Sequence, residues 1–273
     1  AYDAVMLATI LPLVRTNLLM ILRDRLLHAV LLVAVGMILL IPALSSFSMQ
    51  QTQELAITLS LSGISFVLLL LTLLLGTSSI YRDVERRYVA SVLSLPLKRT
   101  SYLMAKFLSV AAFLLLTGVV LSIGASLVIA MIAQKFPSEV AVPWLTIILA
   151  IAGDIFKYVL LSSVALLLSS VSTSFFLPFF GTLAIYFCGS ASQEVFEFVS
   201  GEFGQGIHPI SQAMIKAVYY LLPNFSAFDF KVYAIYALPV SQDSLLLLIL
   251  YGFFYVAIML GLAFWSFNRR QFS

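Results

Sequence analysis

Six apolar runs, each about the length of a bilayer-crossing helix and almost free of charge, leave this chain few folds to choose from. They fall at about residues 26–44, 55–80, 102–132, 142–171, 175–191 and 244–267. A hydrocarbon core of ~30 Å takes about 20 helical residues at ~1.5 Å each. In lipid only helices and closed barrels satisfy their own backbones, and barrel strands are about half this length with alternating polarity. The runs therefore predict an all-α membrane protein of six spans, one transmembrane domain over residues 1–273. Composition agrees: 62% of the residues are hydrophobic and 10% charged, against ~45–50% and ~25% in soluble domains. Too few charges remain to build a water-facing surface, and disorder is excluded because disordered chains are poor in apolar residues. A net charge of +3 gives no support for a nucleic-acid partner. Cys188 is alone, so no internal disulfide forms. At the N-terminus the apolar residues precede Arg15, Arg23 and Arg25, the reverse of a cleavable signal.

Lysine and arginine set the orientation. Eleven fall on one side: Arg15, Arg23, Arg25, Arg82, Arg86, Arg87, Lys98, Arg99, Lys106, Arg269 and Arg270. Only Lys135, Lys216 and Lys231 fall on the other, with Lys157 inside the fourth run. Six spans with both termini on the basic side satisfy this asymmetry and place both ends in the cytoplasm. Seven acidic residues, among them Glu194, Glu197 and Glu202, lie outside. The third and fourth runs exceed one bilayer thickness, so tilt, overhang or a break is expected, and Gly153-Asp154 is a candidate division in the fourth.

Three connecting segments are more than short loops. Residues 1–25 mix apolar side chains with Arg15, Asn17 and Arg23-Asp24-Arg25, the pattern of a helix lying along the cytoplasmic interface; the plainer reading is an early start of the first span, and Pro12 suits both. In residues 82–101, Val84, Tyr88, Val92 and Leu95 form one helical stripe among Arg82, Asp83, Glu85, Arg86 and Arg87, and Pro96 ends it. An apolar face rimmed with charge suits docking into a partner's groove, while a loop whose basic residues only fix topology is the alternative. Residues 192–242 are too long for a turn. Within them Ile210, Met214, Val218 and Leu221 make a second stripe, which predicts an external amphipathic helix on or dipping into the outer leaflet. Its Tyr219, Tyr220, Phe225, Phe228 and Phe230 are then expected at the lipid interface. No internal repeat supports an inverted-repeat carrier.

Catalytic motifs are missing. The histidines are His28 and His208, with no H-E-x-x-H and no carboxylate cluster for a metal. No phosphate-binding P-loop occurs, so no enzymatic activity is expected of this chain. Serines within the runs, such as Ser162, Ser163, Ser169 and Ser170, suit helix packing better than nucleophilic attack. One ionisable pair is conspicuous. Asp154 and Lys157 stand three apart on a predicted helix and meet on one face. They are either a polar element of a substrate path or proton-linked site, or an ion pair near the outer end of a fourth span that begins at Gly153.

In its arrangement the chain resembles the permease subunits of ABC type-2 exporters, and the resemblance covers nearly its whole length. The most specific match runs through Asp83, Glu85, Leu93, Pro96, Arg99 and Lys106. Arg23-Asp24-Arg25 and Phe267-Asn268-Arg269-Arg270 are similar to members too, whereas Arg87-Tyr88 stands where the family often has Gly-Thr. The resemblance implies an interfacial N-terminal helix, a coupling helix between spans two and three, and partly re-entrant elements between spans five and six. It implies partner ATP-binding-cassette ATPases that carry the ATP and Mg, a second permease (a copy or a paralogue), and residence in the cell (inner) membrane. The ATPase interface would then comprise Arg82, Asp83, Val84, Glu85, Arg86, Arg87, Tyr88, Val92 and Leu95 with Arg23, Asp24 and Arg25. A pathway along the permease seam would draw on Ser60, Ser62 and Ser65 of the second span and Thr182, Tyr186 and Ser190 of the fifth. Such a lining suits a lipid-like or amphipathic cargo. Two other readings stay open: a subunit that drives an extracytoplasmic partner, and a stand-alone carrier or scaffold.

Overall fold

The computed structural model describes residues 2–47, 51–85, 99–136, 141–201, 206 and 208–269, with backbone alone at 2–9, 82, 84 and 85. Among these residues there are helices and no strands. They are α1 (Tyr2–Leu22), α2 (Arg25–Ser45), α3 (Thr52–Glu85), α4 (Arg99–Lys135), α5 (Trp144–Val171), α6 (Phe176–Ser200), α7 (Pro209–Leu221), α8 (Lys231–Ile235) and α9 (Gln242–Arg269), with a 3₁₀ turn at Ser226–Phe228. Five of them, α2, α3, α4, α5 and α9, are long and apolar enough to cross a membrane. In α6 the apolar residues give way to Gln193, Glu194 and Glu197 in the last turns, and this helix does not belong to the five.

α1 and α2 are separate helices. The chain turns at Arg23-Asp24, where the Asp24 carboxylate accepts from Leu26 N–H at 3.0 Å and caps α2. An early start of the first span is therefore not what forms. Nor does Pro12 begin a helix, since α1 starts at Tyr2 and runs through it. The structure bears on three further expectations. α4 is unbroken over 37 residues, about 55 Å at ~1.5 Å per residue, leaving tilt or overhang as the answer to its length. α5 continues through Gly153, so no division occurs there and Asp154-Lys157 lies well inside the helix. Arg82 to Glu85 form the last turn of α3, and the rest of the expected coupling segment up to Lys98 lies outside the described residues.

α5 is the hub, packed against α3, α4, α6, α8 and α9. In its most apolar stretch 67% of residues are buried, against 17% in α2 and α9. Those two present Leu32, Leu39, Leu246 and Phe254 outward, as helices solvated by lipid do. Small residues let the hub approach its neighbours, which matters where lipid supplies no hydrophobic drive between helices. A Cβ at Gly76 of α3 would lie 2.7 Å from the Ala165 methyl, and Ser169 donates to the Thr77 carbonyl at 3.0 Å.

The segment between α6 and α9 departs most from expectation. α7 has no buried residue, as an amphipathic surface helix should. Phe225, Phe228 and Phe230, however, are not at a lipid interface; they are 0%, 1% and 9% exposed inside the bundle. Glycines make the room. A Cβ at Gly153 of α5 would lie 2.6 Å from the Phe228 carbonyl oxygen, and one at Gly189 of α6 would lie 2.6 Å from the Phe225 ring. Gly252 of α9 has Phe156 and Phe228 against it in the same way. Asn224 ties the segment down: its amide donates to Gln193 Oε1 at 2.7 Å, and its backbone N–H donates to the Tyr251 hydroxyl at 2.8 Å. Residues 223–230 thus form a plug held between α5, α6 and α9.

Candidate functional site

Two polar assemblies stand out in this apolar bundle. The first lies inside it, under the plug. Lys157 Nζ and Asp154 Oδ1 are 2.5 Å apart, with side chains 3% and 2% exposed. Spacing on α5 brings them to one face, and a buried charge in such surroundings is tolerated only with a partner. Ser65 of α3 donates to Asp154 at 3.4 Å and shares a 2.8 Å hydrogen bond with the Tyr158 hydroxyl. Tyr158 meets the Tyr186 hydroxyl of α6 at 3.3 Å, and the Tyr186 ring packs 6.0 Å from that of Phe225. A continuous polar chain therefore runs from α5 through α3 and back to α6, with the plug at its end.

Sequence spacing alone does not reach this network, because it crosses three helices. The structure joins Ser65 and Tyr186, both proposed for a pathway, to the ion pair. Thr182 and Ser60 are buried with hydroxyls that have no hydrogen-bond partner, and Ser60 lines a cavity of about 100 Å³ between α2 and α3. Ser62 is exposed on the outer face of α3, and Ser190 is half-buried. Tyr158, the link, was missed by sequence reasoning. Its position four after Asp154 was the available signal.

The second assembly sits at the basic end, where α3 ends and α4 begins. Asp83 is buried; Lys106 Nζ is 2.7 Å from its carboxylate, and the Tyr102 hydroxyl donates to it at 2.6 Å. Tyr102 and Lys106, four apart on α4, share a face. The Tyr102 ring stacks on Phe267 of α9 at 5.9 Å, and Arg99 donates to the Asn268 carbonyl at 3.2 Å. This latch fastens α3, α4 and α9 together at the root of residues 86–98. Asp83, expected at an ATPase surface, is turned into the latch instead. Arg86, Arg87, Tyr88, Val92 and Leu95 lie outside the described residues. Beside the latch, between the α1–α2 turn and α3 and α4, is a cavity of about 510 Å³ that Arg23, Asp24 and Arg25 help to line.

Among the described residues no group of His, Cys, Asp and Glu is placed to hold a metal. The described residues thus form a multi-pass helical bundle with a buried polar chain inside it and a charged latch at its basic end. The chain matches the family model of ABC-2 family transporter proteins over residues 11–272, and it belongs to that family. It is a transmembrane permease of an ABC transporter, and the family implies association with ABC ATPase subunits. No curated protein matches the chain.

Proposed function

We propose that this chain is one half of the translocation unit of an ATP-driven exporter. The family match over residues 11–272 carries the reading. ATP is bound with Mg and hydrolysed on separate ATPase subunits that engage residues 86–98 on the cytoplasmic side, and a second permease completes the pathway. Counting α6 as the fifth span gives six, with both termini cytoplasmic in the cell membrane, in keeping with the eleven-to-three distribution of lysine and arginine. The latch supports coupling: a push on residues 86–98 reaches α3, α4 and α9 as one block, because Asp83, Tyr102, Lys106 and Phe267 tie their ends together. Packing between two permeases is then the bistable element that alternates access. The cargo class favoured by hydroxyls and aromatic rings among apolar side chains is lipid-like or amphipathic. A second reading has its own support. α7 leaves Ile210, Met214 and Leu221 more than half exposed on the external side, a surface suited to an extracytoplasmic partner on which the motor would act. Family membership speaks against a stand-alone carrier or scaffold.

Charge reversal tests the coupling. With Glu85→Arg or Arg86→Glu, opposed like charges at a docking interface cost several kcal/mol, so ATP turnover of the reconstituted complex should fall roughly tenfold or more, with unchanged abundance in the membrane. Normal turnover in both variants would remove the hairpin from the ATPase interface.

A further inference from the structure

The cavity beside the latch has an unusual distribution of donors. Asn17 of α1 and Ser78 of α3 line it, are only 7% and 6% exposed, and have no side-chain hydrogen-bond partner among the described residues. Buried polar groups are nearly always paired, and one that is not calls for a missing partner. A serine within a helix ordinarily satisfies itself on the preceding turn, as Ser109 does on the Ala105 carbonyl at 2.6 Å. Ser78 does not. Both orphans are donors to an incoming acceptor. Arg23 and Arg25 stand at the same cavity with no carboxylate partner among the described residues. Of the carboxylates present, Asp83 is engaged by Lys106 and Tyr102, and Asp24 caps α2. Asn17 and Ser78 can donate to an occupant, and Arg23 and Arg25 bring positive charge to the same cavity. Such a site takes an anion.

Its walls say which kind. Met20, Ile21, Leu75 and Val110 make the apolar part of the lining, and Leu19, Met20 and Leu22 of α1 each expose 45% of their surface alongside. Apolar surface thus leads from the flank of the bundle to the donors, and a soluble anion has no use for it. At about 510 Å³ the cavity has the size of a small-molecule site. Basic pockets between membrane helices on the cytoplasmic side suit anionic headgroups.

We propose that this cavity binds the phosphate of an anionic glycerophospholipid. Asn17 and Ser78 donate to its oxygens, Arg23 and Arg25 balance its charge, and the acyl chains lie along α1. The site shares Arg23 and Arg25 with the expected ATPase interface and borders the latch, but lipid binding is read without ATP or a partner, so its failure and that of the ATP-driven reading are distinguishable.

Native mass spectrometry of the purified full chain, with whatever subunits accompany it, tests this by titration with phosphatidylglycerol and phosphatidylcholine. Phosphatidylglycerol should bind about tenfold tighter, the equivalent of one charge-assisted contact. Ser78→Ala should weaken its retention about fivefold, through the loss of a donor to the phosphate, while Asn17→Asp, which keeps size and adds a negative charge, should weaken it further. Ser78→Ala is small enough to leave folding intact and carries the test if Asn17→Asp does not assemble. Equal retention of the two lipids, or unchanged retention in Ser78→Ala, would overturn the proposal. Displacement of phosphatidylglycerol by millimolar inorganic phosphate would overturn the lipid assignment in favour of a soluble phosphate.

Discussion

Replacing Lys157 by methionine is expected to cost the folded protein about 3 kcal/mol, the low end for breaking a buried ion pair. Methionine fills similar volume, so the loss is electrical rather than a cavity. Asp154 is left 2% exposed with Ser65 at 3.4 Å as its remaining side-chain donor, and it must either stay charged without a cation or take up a proton. Both outcomes cost free energy. The double replacement Asp154→Asn with Lys157→Met should recover most of it, because removing both charges together is often neutral. Thermal unfolding in detergent reads both variants. A single variant as stable as the parent would mean the pair does not form. The double variant also separates the two roles open to this pair: one that folds and still supports full ATP-driven transport makes it structural, and one that folds without transport makes the polar chain through Tyr158 and Tyr186 part of the pathway.

Gly153→Val should release the external plug. Within a helix valine is favoured over glycine by only about a few tenths of a kcal/mol before packing is considered. Packing opposes it, since the first added carbon would lie 2.6 Å from the Phe228 carbonyl oxygen and 2.8 Å from the Phe230 ring. A backbone carbonyl cannot swing aside as a flexible side chain does, and forced overpacking costs about 1–3 kcal/mol. The clash wins, and the segment that yields is 223–230 because α5 is held on five sides. Hydrogen exchange at Phe225, Phe228 and Asp229 should rise roughly tenfold in this variant, equivalent to about 1.4 kcal/mol of local stability. Gly36→Ala and Gly261→Ala, where nothing lies within 4 Å of the added carbon, should leave it unchanged. Protection equal to the parent in Gly153→Val would show that the plug is not seated on α5.

The parts of this protein set by composition and period were legible before any coordinates. Long apolar runs and lysine asymmetry sufficed for α2, α3, α4, α5 and α9, and a stripe at Ile210, Met214 and Val218 sufficed for α7. Parts that depend on which helices touch were not. Asp83 reads as a surface charge in a basic segment, and only the approach of α4 turns it toward Tyr102 and Lys106. Phe225 and Phe228 read as interfacial aromatics because a hydrophobic ring suits a lipid boundary and a protein interior equally. The deciding residues, Gly153, Gly189 and Gly252, are distant in sequence and have no side chain to form a pattern. Asn17 and Ser78 are likewise ordinary residues of amphipathic and apolar helices until burial leaves them without partners.

The central claim is the proposal that this permease works with a motor outside its own chain, an ATPase docked on residues 86–98. Affinity purification of the tagged full chain from its native membrane in mild detergent tests that directly. An ATP-hydrolysing subunit of about domain size should accompany it in one-to-one ratio and be lost in Arg86→Glu. A folded, intact chain that purifies with no ATP-hydrolysing partner would contradict the account.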